Sequence, residues 1–160
     1  MNEINKNVMV GYKVFNPDWT CDGFKYEVGK AYISQAYPSY LLEKGISFSR
    51  KLKDCFKNHP LDSRYKVVRI IAFGDVAKCL EDNDSSSYTN KIYIAEELGW
   101  DEVLRIVSHE KGNMTFENNG SWNAGHWNAA HYSSNVLEIP NFDAEILEKN
   151  DGKKLKVLKN

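Results

Sequence analysis

The sequence predicts an α+β protein, built on a twisted, mostly antiparallel sheet with two or three helices. Aromatic residues make up 12% of the 160-residue chain, and a surplus of this kind favours β-structure. The strongest strand pattern, residues 64–73, is β-branched and almost continuous, which predicts a central strand buried on both faces. Apolar residues at helical spacing recur near 50–56 and 100–107, and these two stretches predict helices.

The N-terminal third of the chain is expected to begin the sheet. Residues 9–15 form a first strand candidate, which the turn residues Asn16-Pro17-Asp18 end. Residues 24–28 alternate large apolar with charged side chains, as a half-buried strand does, and residues 31–33 continue it past a bend at Gly29. A short strand or a turn is expected at 39–42.

A strand–helix unit follows. Residues 45–49 are a short strand candidate, and Ser49 is placed to cap a helix over 50–56. That helix carries one apolar stripe (Leu52, Cys55, Phe56), and Pro60 closes the region.

The middle of the chain supplies the remaining strands. After the central strand at 64–73 and a polar loop at 82–87, residues 91–98 read as a strand. The helix over 100–107 is expected to carry Val103, Leu104 and Val107 on one face.

A five-residue repeat marks the C-terminal part. Trp122, Trp127 and Tyr132 recur at this spacing, each two residues after a small residue. A period of five fits neither a helix nor a strand, so a pentapeptide-like coil is predicted at 112–142. Its aromatic side chains either point inward as the core of the coil or form a stacking surface for single-stranded nucleic acid or sugar. We therefore divide the chain into an α+β domain at 1–111, this coil packed on it, and a charged tail at 143–160.

The amino-acid composition disfavours several classes of function. Lys and Arg number 21 against 22 Asp and Glu, and this balance disfavours a nucleic-acid or lipid-surface binder, which would carry a basic excess. No apolar run is long enough for a membrane span and the N-terminus lacks a signal-peptide pattern. The three cysteines form no zinc pattern or CxxC pair. A cytoplasmic protein with reduced thiols is expected.

Catalytic and cofactor motifs are sparse. No phosphate-binding loop and no nucleophile elbow occurs in the sequence. His126 and His131 are interpreted as exposed turn histidines rather than metal ligands, so no metal site is predicted. Glu96 and Glu97 end a strand, where paired carboxylates either serve acid–base chemistry or lie in solvent before a helix.

Residues 23–32, Gly-Phe-Lys-Tyr-Glu-Val-Gly-Lys-Ala-Tyr, resemble the GFxYEVGKxY signature of an uncharacterised domain family common in phages and prophages. The resemblance continues at 58–65 and 91–98 and covers roughly residues 9–104. Members of that family often carry pentapeptide-like tails rich in Gly, Asn, Ser and Trp, and residues 120–132 look like a short version. The resemblance implies a phage-derived protein and no assigned activity.

A fainter resemblance concerns ADP-ribosyltransferases, in which a Tyr-Arg or Tyr-His strand, an STS strand and a glutamate-bearing strand follow in this order. Tyr12-Lys13, Ser47-Phe48-Ser49 and the pair Glu96 and Glu97 fall in the same order. The resemblance implies NAD as the cofactor, with Lys13, Ser47, Glu96 and Glu97 as the candidate catalytic residues. Lys13 stands where those enzymes have arginine or histidine.

Three functional hypotheses result. The first is a phage- or prophage-derived accessory protein without catalysis or cofactor, which inhibits a host protein, plausibly a defence component, by binding it through Trp122, Trp127, Tyr132, His126 and His131. The second is the NAD-dependent ADP-ribosyltransferase-like enzyme. The third is a structural module that self-associates as a homo-oligomer through the aromatic coil.

Overall fold

The computed structural model describes residues 4–35, 38–79, 84–111, 136–145, 147 and 154–157. It confirms the α+β class, with three helices and a mostly antiparallel sheet. The strands are β1 (Ile4–Asn7), β2 (Met9–Phe15), β3 (Thr20–Cys21), β4 (Phe24–Lys25), β5 (Ala31–Ser34), β6 (Ile46–Ser49), β7 (Lys66–Ala72), β8 (Val76–Lys78), β9 (Ser86–Thr89), β10 (Lys91–Glu97), β11 (Val136–Glu138) and β12 (Lys154–Val157). The helices are α1 (Leu41–Lys44), α2 (Leu52–Cys55) and α3 (Trp100–Lys111), and a 3-10 turn at Pro38–Tyr40 leads into α1.

Eight of these strands form the main sheet, in the order β11-β5-β10-β7-β2-β6-β9-β8. The pairings recorded within this sheet are antiparallel. Two short ribbons accompany it, β1 with β12 and β3 with β4. The turn between β3 and β4 places Asp22 and Gly23 at φ 52° and 84°, which is the left-handed pair that a tight hairpin needs.

The central position of β7 follows from its sequence. The strand lies between β10 and β2, and it is buried on both sides because its side chains alternate between the two faces. Val68 and Ile70 point to one face and Val67 and Ile71 to the other. The sequence pattern predicted this placement, and the structure confirms it.

The two faces of the sheet are covered differently. An aromatic cluster packs on one face, where Phe15 stacks on Tyr26 with ring centroids 4.9 Å apart and Tyr26 meets Tyr32 edge-on at 4.8 Å. Helices α2 and α3 cover part of the other face, against Val14 and Val67. Glu110 of α3 holds the two helices together, because its carboxylate accepts hydrogen bonds from the first two backbone N–H groups of α2 at 2.7 and 2.8 Å.

Some predicted elements differ from the structure. The predicted strand 24–28 is only two residues long, because Tyr26 leaves the ladder to enter the aromatic cluster. Residues 39–42 form helical turns. Part of the predicted polar loop at 82–87 is strand β9, which pairs with both β6 and β8.

The described segments of the C-terminal third pair with strands from the N-terminal part, and the predicted domain boundaries stay a prediction. Of the coil predicted at 112–142, residues 112–135 lie outside the described residues. Residues 136–138 form β11 of the main sheet, and Phe142 packs on Phe73 with ring centroids 5.0 Å apart. Within the predicted tail, 154–157 pairs with 4–7. Among the described residues, no helix has the length and apolar character needed to cross a membrane.

Candidate functional site

The candidate site begins where two neighbouring strands separate. Strand β2 pairs with β7 at seven positions, from Met9 to Phe15, but with β6 at one, Tyr12 opposite Ser49. Beside that pair the strands are very close, since a Cβ added to Gly11 would lie 2.6 Å from Phe48 Cδ2 and 2.8 Å from the Ser49 carbonyl. Only glycine fits such an approach. Beyond it, the two strands leave a gap.

A cavity of about 480 Å³ occupies this gap. Its walls come from β2, β6, β9, the β3–β4 hairpin, helices α1 and α2 and the segment after α2. Its buried residues are Lys13, Val14, Phe48, Ser49 and Cys55. The exposed residues of the wall mark its mouth, and they are Asn16, Asp22, Leu42 and Glu43.

Lys13 is the charged group deepest in the cavity wall, with 4% of its surface exposed. Its Nζ donates to the Ser47 carbonyl at 2.6 Å and to Ser47 Oγ at 3.1 Å. It also lies 5.7 Å from the centre of the Phe15 ring, in cation–π geometry. Lys13 therefore connects the two separated strands. Its ammonium group donates to the Ser47 carbonyl, which pairs with no β2 amide in the recorded register.

None of these partners is negatively charged. Within the ranges that the structure describes, no Asp or Glu carboxylate forms an ion pair with Lys13. Buried lysines are rare unless a counter-charge compensates them. The wall of the cavity thus carries a positive charge that hydrogen bonds and a ring face satisfy only in part.

The pKa of His59 depends in part on this charge. His59 lines the same cavity, and burial together with the positive charge of Lys13 lowers its pKa from 6.5 to about 4. The imidazole is therefore neutral at physiological pH. An anion bound beside Lys13 would oppose the second of these effects and raise the pKa of His59.

Two thiols and two phenols of the wall have raised pKa values. Burial raises the pKa of the Cys55 thiol to about 12, and burial also raises the pKa of Cys21. The pKa values of Tyr12 and Tyr88 are raised as well, mainly by burial. Protonated thiols are poor nucleophiles, so the cavity offers hydrogen-bonding groups and a cation rather than an activated nucleophile.

The structure brings two of the four predicted catalytic residues together. Lys13 and Ser47 are in direct contact at the cavity, whereas Glu96 and Glu97 lie on β10, with β7 between them and β2. Glu96 accepts a hydrogen bond from Arg69 Nε at 2.7 Å. Both glutamates are exposed, and neither lines the cavity.

The predicted binding residues cannot be placed in the same way. Trp122, His126, Trp127, His131 and Tyr132 lie outside the described residues. The hypotheses of a protein partner and of self-association through them stay predictions. In the part of the chain that is described, no group of three or more His, Cys, Asp or Glu side chains is arranged to hold a metal ion.

Sequence reasoning gave His59, Cys21 and Tyr88 no functional role, because they are far apart in the chain and match no catalytic motif. One feature of the sequence does indicate that Lys13 is buried. In a strand, residues 13 and 15 point to the same face, and Phe15 is a residue that the sheet buries. A lysine on the core-facing side of β2 is therefore the sequence feature that indicates the cavity.

The GFxYEVGKxY stretch at 23–32 has a different role in the structure. Tyr26 and Tyr32 fill the aromatic cluster, and Gly29 adopts φ 89°, with its N–H donating to the Ile94 carbonyl. Lys30 lies 3.5 Å from the carboxylates of Glu27 and Glu138. These residues build the fold and do not line the cavity.

Together, the sheet and the cavity define an α+β protein with a polar pocket between two separated strands. Residues 9–106 match the model of the family described as "Domain of unknown function (DUF7666)", and the chain belongs to this family. The matched region includes the cavity-lining residues. No curated protein and no solved structure matches the chain.

Proposed function

We propose that the protein acts by binding a small organic anion in the cavity between β2 and β6, with Lys13 as the counter-charge. The observation that carries the proposal is the burial of Lys13 beside a cavity without a carboxylate partner among the described residues. An anionic group at this position would supply the missing charge. The gain is largest in a desolvated site, where charges interact most strongly.

The other wall residues suit an anion with an aromatic body. Four phenylalanine and tyrosine rings line the cavity, those of Tyr12, Phe48, Tyr65 and Tyr88, together with serine hydroxyls and asparagine amides. A volume of about 480 Å³ falls in the range of small-molecule sites, which combine apolar walls with a few polar anchors. The ligand class is therefore a small aromatic anion rather than a polymer.

The same wall supports binding over catalysis. The thiols are protonated and His59 is neutral. The carboxylates of the wall, those of Asp22 and Glu43, belong to exposed residues at the mouth and form no ion pair with Lys13 among the described residues. If the chain is of phage origin, as its resemblance implies, removal of such an anion from solution would inhibit a host process by binding alone.

Hydrocinnamate and AMP are suitable probes, because each joins an aromatic ring to an anionic group. We expect calorimetric titration to detect binding to the wild-type protein and to Lys78→Met, which neutralises an exposed lysine on β8. Lys13→Met should weaken binding at least tenfold. Bound probe should also raise the pKa of His59, as read from its imidazole proton shifts.

Two results would overturn the proposal. One is that neither probe binds the wild-type protein at millimolar concentration. The other is that Lys13→Met binds as tightly as the wild type while remaining folded, as judged by its circular dichroism.

NAD-dependent ADP-ribosyl transfer is a second candidate, and the contact of Lys13 with Ser47 at the cavity favours it. The two residues were predicted together from the element order of those enzymes. NAD is itself an aromatic anion, so it belongs to the ligand class proposed above. The glutamates on β10 do not share the cavity, which ranks this candidate below simple binding.

The enzymatic candidate is tested by mixing the protein with NAD and measuring nicotinamide release. Enzymatic release should fall strongly in Ser47→Ala and in Glu96→Ala or Glu97→Ala. No release, or release that both glutamate variants leave unchanged, would reject the candidate and leave the binding proposal intact.

A further inference from the structure

The charges around the cavity have an order from floor to mouth. The floor carries the cation of Lys13, which is 4% exposed. The mouth carries two carboxylates, those of Asp22 and Glu43, both on exposed residues that line the same cavity. A ligand that fills the space between them meets opposite charges at its two ends.

The two carboxylates are fixed by different elements. Asp22 lies in the tight β3–β4 turn, where φ is 52°, and Glu43 lies on α1. The recorded contact of the Asp22 carboxylate is with the Cys21 thiol at 3.8 Å. Neither carboxylate has an ion pair with any residue that the structure describes.

We infer that the ligand is a zwitterion, with its anionic group at Lys13 and an amine at the mouth beside Asp22 and Glu43. This inference rests on the proposed function and names its ligand class. An ammonium group is attracted by both carboxylates, whereas a second anionic group would be repelled by them. The mouth thereby selects against polyanions, including nucleic acids, and against ligands that carry an anionic group at each end.

The expected contribution of the mouth is modest. Both carboxylates are in contact with water, so each pairs with an amine only weakly and the effect is screened by salt. We expect the amine to improve affinity roughly 3- to 10-fold at low ionic strength. The main gain from Lys13, in the buried floor, is expected to be less sensitive to salt.

Two probes of equal shape test the inference. In p-aminomethyl-hydrocinnamate an ammonium group replaces the terminal methyl of p-ethyl-hydrocinnamate, and both probes keep the same carboxylate. Calorimetric titration of the wild-type protein should show tighter binding of the amine. The double variant Asp22→Asn, Glu43→Gln should bind both probes equally, and asparagine suits the left-handed backbone at position 22.

The control removes two charges elsewhere. Asp101→Asn with Glu145→Gln neutralises two exposed carboxylates outside the cavity wall, and it should keep the wild-type preference for the amine. Equal binding of both probes to the wild type, or an unchanged preference in the Asp22 and Glu43 variant, would overturn the inference. Binding of p-ethyl-hydrocinnamate that depends on Lys13 would still support the proposed function. Failure of both probes to bind would reject the proposed function itself.

Discussion

The two flanks of strand β2 differ in almost every respect. Towards β7 the strand is paired along its whole length, and the shared core includes Val68 and Ile70, both fully buried. Towards β6 it is paired at Tyr12, and a cavity with polar walls follows. One strand thus serves as the centre of a packed sheet on one side and as the wall of a pocket on the other.

This contrast teaches how a sheet can contain a site without losing its integrity. The closed flank gains stability from apolar burial and continuous ladder bonds. The open flank gives up ladder bonds and places a cation, a neutral histidine and two thiols around a space. The following predictions test this division of roles, from the largest expected effect to the smallest.

Truncation in the closed flank should be the most damaging. Ile70→Ala removes a side chain with 0% exposure, and such a change costs about 2–5 kcal/mol of unfolding free energy. Ser47→Ala in the open flank should cost only about 0.5–1.5 kcal/mol, since it removes one hydrogen bond to Lys13. Urea denaturation measures both. Equal losses would contradict the proposed division between the flanks.

Acid should weaken the open flank through His59. Its pKa is about 4 in the folded protein against an ordinary 6.5, so the unfolded chain binds the proton more tightly between these values. The stabilisation is therefore complete above pH 6.5 and is lost as the pH falls to 4, by up to about 3 kcal/mol. The pKa of Asp62 is lowered to about 2 by Arg64, so this carboxyl titrates below that window.

His59→Gln should flatten the stability profile between pH 6.5 and 4, as measured by thermal unfolding across that range. A profile as steep as that of the wild type would show that His59 does not cause the dependence.

The close approach between β2 and β6 should tolerate no side chain. Gly11→Ala would place a methyl group 2.6 Å from Phe48 and 2.8 Å from the Ser49 backbone, which should cost about 1–3 kcal/mol. Gly99→Ala is the matched control, because a methyl group there meets no atom within 4 Å. Chemical denaturation should therefore show a clearly smaller loss for Gly99→Ala, and the reverse order would refute the close approach.

Removal of the buried cation should change ligand-free stability least. Lys13→Met keeps much of the side-chain length and loses the hydrogen bonds to Ser47, but it also removes the cost of burying an ammonium group. These effects oppose each other, so the unfolding free energy without ligand should stay within about 1 kcal/mol of the wild-type value. A loss of unfolding free energy above about 3 kcal/mol would instead show that Lys13 mainly stabilises the fold.

The sequence predicted the parts of the fold whose pattern is apolar. Strands β7 and β10 and helix α3 follow from periodicity alone, because burial of these elements needs the pattern that the residues display. Strand β9 did not follow, since Ser-Ser-Tyr-Thr has no apolar alternation. Its strand conformation comes from pairing with two neighbours, which is tertiary information.

The candidate site could be predicted only in part from the sequence, because it too depends on tertiary pairing. Lys13 and Ser47 were named through the resemblance to ADP-ribosyltransferases, and they do meet. The cavity itself depends on where β6 leaves β2, and no local pattern in either strand states this. His59 and Tyr88 reach the wall from segments whose positions are set by the assembled sheet.

The two outermost strands of the described sheet, β8 and β11, have three residues each. A border this short presents few unpaired amide and carbonyl groups to a passing chain, and the exposed charges of Lys78 and Glu138 lie on it. Edge-to-edge polymerisation of the kind that leads to fibrils is thereby disfavoured. The sheet can therefore be large and strongly β-forming while its two described edges offer little for the addition of another strand.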